Sequence, residues 1–265
     1  MGASSGIGLA LAEALVSRGV RIGVAARHTD TLKALAESYP GMLEVMSIDV
    51  TRRDAVERLS ELAGRLGGMD VYIHVAGIGF DNSSLEPERE VDIVRTNAVG
   101  FARMVSAAYR YFRVNGIKGQ IAAVTSVAGT RGIDRLAAYS ASKSFDQTYL
   151  EAMRQLADAD GSGITVTDIR PGWVRTPLLS GEASYPLEME AERVVAGILR
   201  AIVRRKSVAV IDWRWQAVVA LWRMLPSALW VRMHLKLSEP DMPLPDPTRD
   251  TGVDSQESGG AVAEP

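Results

Sequence analysis

The feature that most constrains the fold is a regular alternation of strand-like and helix-like patterns across residues 7–211. The strand-like runs are short, apolar and rich in β-branched residues, and amphipathic runs of helical period separate them. The predicted strands lie at 20–26, 42–48, 71–75, 120–125, 164–169 and 207–211. The predicted helices lie at 9–17, 29–38, 51–66, 89–114, 136–158 and 190–205. This order predicts βαβ units, and hence an α/β fold: a doubly wound parallel sheet with helices on both faces.

The overall composition excludes several classes of protein and site. Of the 265 residues, 47% are hydrophobic and 23% charged, as in globular domains, and the net charge of −2 gives no support to a nucleic-acid partner. The chain has no cysteine, which excludes disulfides, thiolate catalysis and cysteine-bound zinc. Its histidines, His28, His74 and His234, are too widely spaced to predict a metal centre. Without a secretory signal or a run of ~20 apolar residues, the expected location is cytoplasmic.

The last residues differ in composition from the rest of the chain. Residues 239–265 contain seven acidic residues, one basic residue and five of the eleven prolines, and they show almost no apolar periodicity. Such a segment cannot bury enough apolar surface to offset the entropy lost on ordering it. We therefore predict that this acidic tail is disordered.

A glycine-rich run opens the chain, and a helical pattern follows it at once. The run reads Met1-Gly2-Ala3-Ser4-Ser5-Gly6-Ile7-Gly8. Glycines allow a tight turn and a close approach of the backbone to a phosphate, and the helix that follows presents free N–H groups and the positive end of its dipole. By itself, a glycine run is equally compatible with an ordinary turn.

A tyrosine and a lysine stand four residues apart in the predicted helix 136–158. This spacing places Tyr139 and Lys143 on one face of the helix. A neighbouring ammonium makes a tyrosine hydroxyl a better proton donor and acceptor near neutral pH. Ser126 ends the preceding strand, where the ends of parallel strands line a ligand crevice, and its hydroxyl is placed to hold a substrate carbonyl.

Together these motifs resemble the short-chain dehydrogenase/reductase family over residues 1–211. Three further segments match that family: His74-Val75-Ala76-Gly77, Thr96-Asn97-Ala98-Val99-Gly100 and Pro171-Gly172-Trp173-Val174-Arg175-Thr176. The resemblance implies a single Rossmann-like domain that binds a nicotinamide dinucleotide. The cofactor-binding residues that it implies are Gly2, Ser4, Ser5, Gly6, Ile7, Gly8, Arg27, Asp49, Val50, Ala76, Gly77, Tyr139, Lys143, Pro171, Gly172, Val174 and Thr176.

The resemblance also implies a catalytic tetrad of Asn97, Ser126, Tyr139 and Lys143. In the implied mechanism Tyr139 gives or takes the hydroxyl proton, and Lys143 assists it and binds the nicotinamide ribose. Ser126 positions the substrate oxygen, and Asn97 orders a water that relays protons. The implied reaction is hydride transfer between the cofactor and a carbonyl or alcohol carbon.

The end of the strand 20–26 bears on the choice of cofactor. Chains that bind NAD usually carry an acid there for the ribose 2′-hydroxyl, whereas this chain reads Ala25-Ala26-Arg27-His28. Arg27 suits a 2′-phosphate, so NADP is favoured and NAD is the alternative. Ser5 stands where many NADP-binding relatives carry a second basic residue, which weakens that preference.

The chain departs from the family pattern in two places. His74 and Val75 replace two asparagines of an N-N-A-G motif, and we expect His74 to be a structural residue at a strand end rather than a catalytic base. The larger departure is that Met1 stands directly before Gly2, where the family has a central strand. We therefore expect the first strand to be missing and its neighbours to face each other across unpaired backbone groups. The expected explanation is a fragment or a misassigned start.

Residues 212–238 form an extension that is rich in tryptophan and arginine. It holds four of the five tryptophans, its charged residues after Asp212 are all basic, and Pro226 divides it into two short apolar helices. A lid over the active site or an oligomer contact is the favoured interpretation. The alternative is a peripheral contact with the inner face of a membrane. An apolar lid also fits a substrate with an apolar body, and a homo-oligomer is expected.

The sequence thus predicts an NADP-dependent carbonyl reductase or alcohol dehydrogenase that acts on a small molecule. One rival is a nucleotide-sugar epimerase or dehydratase, which shares the tyrosine and lysine, but the spacing of Gly2, Gly6 and Gly8 argues against it. The other rival is a nucleotide-binding scaffold at a membrane without turnover, and the intact tetrad argues against that.

Overall fold

The computed structural model describes residues 1–175 and 186–233, in which strands and helices alternate as predicted. The strands are β1 (Ile22–Ala26), β2 (Leu43–Ser47), β3 (Val71–His74), β4 (Gln120–Val124), β5 (Thr165–Arg170) and β6 (Val208–Val210). The α-helices are α1 (Gly6–Val16), α2 (Asp30–Ser38), α3 (Ala55–Leu66), α4 (Pro87–Val94), α5 (Phe101–Val114), α6 (Ala137–Ala159), α7 (Ala191–Val203), α8 (Trp213–Met224) and α9 (Ser227–Trp230). Two short 3-10 helices, Val127–Thr130 and Asp134–Leu136, connect β4 to α6.

All strand pairings are parallel, but in the described residues they form two sheets rather than one. β1 pairs with β2, and the second sheet has the order β3-β4-β5-β6. Met1 and Gly2, at the start of the glycine turn, join the two sheets. The Met1 ammonium donates to the Ile73 carbonyl, the Val75 N–H donates to the Met1 carbonyl, and the Gly2 N–H donates to the Ala25 carbonyl, at 2.9, 2.9 and 2.8 Å. The predicted interruption of the sheet is present between β1 and β3, but the expectation of unpaired backbone groups is corrected in part, because Met1 and Gly2 bond to both facing strands.

Helices cover both faces of the four-stranded sheet, because each face of a parallel sheet must be buried. One core cluster packs α5 and α6 against this sheet and α3 against β1 and β2, and it contains Phe101, Phe112 and Ile121. The other packs it against α1, α7 and α8 and contains Leu11 and Ile169. These side chains are buried, and each contributes about 1.5–3 kcal/mol through the apolar surface that it removes from water.

Two helix predictions are corrected by the structure. The predicted helix 51–66 begins only at Ala55, because the Thr51 N–H and hydroxyl both donate to the Asp49 carboxylate, at 2.8 and 2.7 Å, and so hold a turn. The predicted helix 89–114 is α4 and α5 joined by a π-helical segment, Arg95–Gly100. The second difference matters for function because Asn97 lies in that segment.

The described part of the extension, residues 212–233, packs against the domain. Pro226 separates α8 from α9, as predicted. Trp215, Trp222 and Trp230 are buried in the cluster that covers the sheet. Arg131, in the connection between β4 and α6, donates to the backbone carbonyls of Trp222 and Leu225 at the end of α8. The predicted tail, 239–265, lies outside the described residues. No helix within 1–175 and 186–233 is long and apolar enough to cross a membrane.

Candidate active site

The predicted catalytic residues lie near the carboxyl ends of β3 and β4, together with α6. Parallel strands bring these ends to one edge of the sheet, where ligand crevices form. Ser126 comes two residues after β4, and Gly77 comes three residues after β3. Pro171 directly follows β5, and its carbonyl accepts a hydrogen bond from the Val127 N–H at 3.0 Å. The loops that follow three neighbouring strands thus supply one site.

Helix α6 carries the tyrosine and the lysine on one face, as their spacing predicts. The Lys143 ammonium lies 5.9 Å from the centre of the Tyr139 ring. Lys143 is buried and Tyr139 half-buried. The loop after β3 approaches the tyrosine closely at Gly79, where an added β-carbon would lie 2.5 Å from the Tyr139 ring. A side chain at position 79 would therefore displace Tyr139.

The π-helical segment fixes Asn97 against the loop after β3. The Asn97 amide donates to the Ile78 carbonyl at 2.7 Å and accepts from the Ile78 N–H at 2.8 Å. It also donates to the Ser142 hydroxyl on α6 at 3.2 Å. A β-carbon added at Gly77 would lie 3.3 Å from Asn97 Oδ1 and 3.4 Å from Lys143 Nζ. Asn97 and Lys143 therefore flank the same glycine, and π-helical turns are frequent at such functional positions.

Ser126 is held at the end of β4 by contacts from two directions. Its hydroxyl accepts a hydrogen bond from the Ala128 N–H at 3.1 Å. Its backbone carbonyl accepts one from the Gln147 side chain of α6 at 2.7 Å. A serine hydroxyl that accepts a hydrogen bond retains its own proton for donation. The side chain is thus oriented and able to donate to a substrate oxygen.

The glycine turn before α1 has the backbone shape that a close phosphate approach requires. Gly2 and Gly6 have φ angles of +82° and +52°, which L side chains rarely adopt. At Gly8 a β-carbon would lie 2.0 Å from the Gly2 carbonyl oxygen. The Ser5 side chain makes no capping hydrogen bond to α1. The turn therefore leaves no room for a side chain at Gly8. Its backbone before α1 fits the pyrophosphate of a dinucleotide.

The other predicted cofactor residues differ in exposure and in the hydrogen bonds that they make. Arg27 directly follows β1 and is exposed. Asp49 accepts its two hydrogen bonds from Thr51, so its carboxylate is engaged locally. Val50 is buried, and its carbonyl accepts from the Arg103 guanidinium at 2.6 Å. The remaining residues of the predicted set are placed as follows: Ser4, Ile7, Ala76 and Gly172 are partly buried and Val174 is buried. Thr176 lies outside the described residues.

A small apolar cavity adjoins Ser126, and its walls come largely from tryptophan. Its lining residues are Ser126, Val127, Ala128, Ile133, Gly172, Trp173, Trp215 and Trp222. The Trp215 indole N–H donates to the Leu187 carbonyl at 3.1 Å, which fixes the ring. A β-carbon at Gly172 would lie 2.1 Å from that indole. Helix α8 therefore forms part of the wall beside Ser126.

His74 is structural, as the sequence analysis expects. It is fully buried, its Nδ1 lies 2.9 Å from the Tyr72 hydroxyl, and its ring meets Phe101 edge to face. Burial lowers the pKa of His74 well below its usual value, and the nearby positive charges of the chain's amino terminus and Lys143 add to this effect. The imidazole is therefore neutral across the physiological range.

Three residues of the site were missed by the sequence analysis. Gly79 contacts the Tyr139 ring, Gln147 holds Ser126, and Asp146 pairs with Lys143 at 3.2 Å. Only Asp146 and Gln147 left a signal in the sequence: both are polar and lie on α6, three and four residues after Lys143. That spacing puts them on the face that carries the lysine.

Comparison with known proteins agrees with this geometry. The family model for short chain dehydrogenases matches residues 1–185. An uncharacterized oxidoreductase of Myxococcus xanthus is 36% identical over 236 residues, which cover 86% of this chain and 92% of that protein. Farnesol dehydrogenase of Aedes aegypti is 33% identical over 192 residues, 67% of this chain and 77% of that protein. A short chain dehydrogenase from Burkholderia cenocepacia, solved in complex with NADP, is 25% identical with a TM-score of 0.73, and the match covers 91% and 96% of the two chains. The chain belongs to the short chain dehydrogenase family and is an oxidoreductase with a Rossmann-like fold.

Proposed function

We propose that this oxidoreductase transfers a hydride between NADP(H) and a carbonyl or alcohol whose body is apolar. The observation that carries the proposal is the grouping of Asn97, Tyr139 and Lys143 around the loop after β3, with Ser126 in the wall of an apolar cavity. Each group has a side chain suited to one task in moving a proton to or from a substrate oxygen.

The residues divide the reaction between them. When bound, the nicotinamide supplies or accepts the hydride. Ser126 donates a hydrogen bond to the substrate oxygen, and Tyr139 gives that oxygen a proton during reduction or removes one during oxidation. The Lys143 ammonium stabilises the negative charge that Tyr139 develops and binds the nicotinamide ribose. Asn97 fixes the loop after β3 and holds a water for proton exchange with solvent.

Three features support NADP as the cofactor. The glycine turn fits a pyrophosphate, as its positive φ angles and the close approach of Gly8 to Gly2 indicate. The exposed Arg27 follows β1, where a 2′-phosphate would be recognised. The related short chain dehydrogenase from Burkholderia cenocepacia was solved in complex with NADP.

The aromatic walls favour an apolar substrate. Trp173, Trp215 and Trp222 line the cavity beside Ser126 and offer few polar partners. Among the relatives, the enzyme from Aedes aegypti is a farnesol dehydrogenase. Neither the epimerase or dehydratase nor the scaffold without turnover is favoured, since the family match and the similar oxidoreductases point to dehydrogenase chemistry.

A panel of ketones, aldehydes and alcohols tests this function, with the consumption or formation of NADPH as the readout. We expect turnover to rise with the apolar surface of the substrate. Ser126→Ala should reduce turnover at least tenfold, whereas Ser144→Ala, which removes an exposed hydroxyl from α6, should leave it unchanged. Absence of turnover across the panel, with NADPH bound, would favour the scaffold.

The outer face of α8 and α9 suggests that the enzyme also contacts an anionic membrane surface. Trp213, Met224 and Val231 are 71%, 81% and 74% exposed. Arg223 and Arg232 are exposed beside them, and residues 213–233 contain no acid. Exposed aromatic, aliphatic and basic side chains on one surface are typical of interfacial segments. The inner face of α8 forms the cavity wall, so both interpretations of the extension find support on different faces.

Sedimentation with vesicles tests the membrane contact. We expect the protein to sediment with vesicles that contain phosphatidylserine, and less with neutral vesicles. Trp213→Ser combined with Arg223→Glu should abolish binding, and Arg110→Glu, on the exposed side of α5, should not. Protein that stays in the supernatant at low salt would rule out the membrane contact. The predicted homo-oligomer is a separate question, and a dimer or tetramer in solution would support it.

A further inference from the structure

A buried carboxylate stands behind the lysine of the site. Asp146 lies one helical turn after Lys143 on α6, and the Lys143 ammonium donates to its Oδ2 at 3.2 Å. The two side chains are 0% and 5% exposed. A buried ammonium is costly unless a negative group pairs with it. The Asp146 carboxylate therefore supplies the negative charge that a buried, charged lysine requires at this position.

We propose that Asp146 is a positioning residue of the reaction, whose carboxylate holds the Lys143 ammonium in place and keeps it charged beside Tyr139. The proposal deepens the function proposed above and rests on it. Asp146 itself contacts neither the cavity nor the glycine turn, so it acts only through Lys143.

The hydrogen bonds of Asp146 favour this role over a merely structural one. A buried carboxylate that serves the fold is normally satisfied through both oxygens. Asp146 Oδ1 has no hydrogen-bond partner in the described part of the chain. By contrast, the neighbouring buried carboxylate of Asp168 accepts from the Thr125 hydroxyl at 2.7 Å and from the Arg170 guanidinium at 2.8 Å. The hydrogen bond of the Asp146 carboxylate thus goes to Lys143, whereas the carboxylate of Asp168 links neighbouring segments of the sheet.

The protonation of the pair agrees with the geometry. Burial alone would lower the pKa of Lys143, but the charge of Asp146, together with that of Tyr139, raises it above its usual value. Burial raises the pKa of Asp146 to about 6, although Lys143 opposes this effect. At neutral pH the ammonium and the carboxylate are therefore both charged.

Other charged groups surround the pair and must be considered in any pH experiment. The titratable groups that interact with it are Tyr139 on α6, Asp168 on β5 and His74 on β3, and Asp168 in turn interacts with Arg154 and Arg170. His74 is neutral, and Asp168 is engaged by Arg170. Asp146 is thus the carboxylate that contacts the lysine directly, and its removal changes the charge at Lys143 most.

The test is the pH dependence of carbonyl reduction by the full chain with NADPH. Reduction requires a protonated Tyr139 and a charged Lys143. Asp146→Asn keeps the shape of the side chain and removes its negative charge. Tyr139 and Lys143 should then lose the first of their two protons at a lower pH. We expect the alkaline limb of kcat to move down by about one pH unit or more. Asp158→Asn, a neutralised exposed carboxylate on the same helix, should leave the limb in place.

Further variants separate this role from a loss of structure. Asp146→Glu keeps the charge and should restore the alkaline limb even where kcat stays reduced. If Asp146→Asn does not fold, Asp146→Ser makes the same comparison with a smaller neutral side chain. A uniform drop of kcat at every pH, or an unchanged profile in a folded neutral variant, would overturn the proposal.

A binding measurement distinguishes failure of this proposal from failure of the proposed function. If the wild-type chain reduces no carbonyl, the function fails, but the affinity for NADPH can still be followed against pH. Since Lys143 is proposed to bind the ribose, affinity should weaken at alkaline pH, and at a lower pH in Asp146→Asn than in the wild type. Equal binding profiles of the two proteins would overturn the role of Asp146.

Discussion

The two ends of the active-site edge are built in different ways. Ser126, Tyr139 and Lys143 stand on a continuous sheet and on α6, and buried side-chain hydrogen bonds hold Ser126 and Lys143. The glycine turn stands at the joint between two sheets, where Met1 and Gly2 supply the connecting hydrogen bonds. Sheet pairing and side-chain hydrogen bonds therefore fix the catalytic end, whereas a few backbone hydrogen bonds hold the cofactor end.

This difference predicts separate responses to mutation and to pH. Changes at the catalytic end should alter turnover with little effect on stability or on NADPH binding, except at Lys143, which is proposed to bind the ribose, and at its partner Asp146. Changes at the joint should alter stability and cofactor binding first, because the turn takes its position from both sheets.

The largest effect is expected for Tyr139→Phe. The change removes the proton donor and almost no volume, so kcat should fall by about 100- to 10,000-fold. NADPH affinity and the melting temperature should stay close to those of the wild type, as measured by fluorescence titration and thermal unfolding. Tyr111→Phe, on α5, is the matched control and should retain activity. A variant Tyr139→Phe with near-normal turnover would remove tyrosine from the mechanism.

The second effect is a loss of stability of the joint at acid pH. Burial lowers the pKa of the Met1 ammonium from 8.0 to about 5. The unfolded chain therefore takes up a proton between these pH values that the folded chain does not. Stability should fall as the pH is lowered through this window, by up to about 1.4 kcal/mol per pH unit.

Denaturant unfolding between pH 5 and 8 measures this loss, and an extended chain isolates it. A few apolar, β-branched residues placed before Met1 convert the ammonium to an amide and can pair with the facing edges of β1 and β3. The extended chain should lose the amine's share of the pH dependence and melt at a higher temperature. His74, whose pKa is also lowered, destabilises both chains at acid pH, and it does so less in the extended chain, because the charge of the amino terminus is one cause of its shift. Identical unfolding curves for the two chains would show that the joint is as firm as the catalytic end.

The third effect concerns the 2′-phosphate. Charge-assisted hydrogen bonds contribute about 1.5–3 kcal/mol, so Arg27→Ala should weaken NADPH binding more than tenfold and leave NADH binding unchanged. At saturating NADPH, kcat should not change, because Arg27 lies at the cofactor end. Equal affinities of the wild type for the two cofactors would contradict the preference for NADP.

The same division explains how much the sequence could predict. Tyr139 and Lys143 are predictable because the four-residue spacing on a helix fixes their relation. Asn97 could be named only through the family resemblance: an amphipathic period does not distinguish an α-helix from the π-helical turn that aims its amide at Ile78. The predicted start of α3 was wrong because Thr51 donates to Asp49 in a local turn, and hydrophobic periodicity does not reveal such a turn. Asp146 was missed because its importance lies in burial, which comes from tertiary packing.

The smallest effect is a gain, expected for Ser5→Arg. Ser5 is exposed at the start of α1, and its side chain makes no capping hydrogen bond, so little is lost when it is replaced. The turn that carries it is hydrogen-bonded to Ala25, near the end of β1 that precedes Arg27. A second cation on this side should attract the 2′-phosphate, but exposed ion pairs contribute only about 0.2–1 kcal/mol. NADPH affinity should therefore improve by no more than about fivefold, and the gain should shrink as salt is added. Ser17→Arg, at the opposite end of α1, carries the same charge and should give no gain. If Ser5→Arg tightens NADH binding as much as NADPH binding, the added charge acts on the pyrophosphate and the 2′-phosphate lies elsewhere.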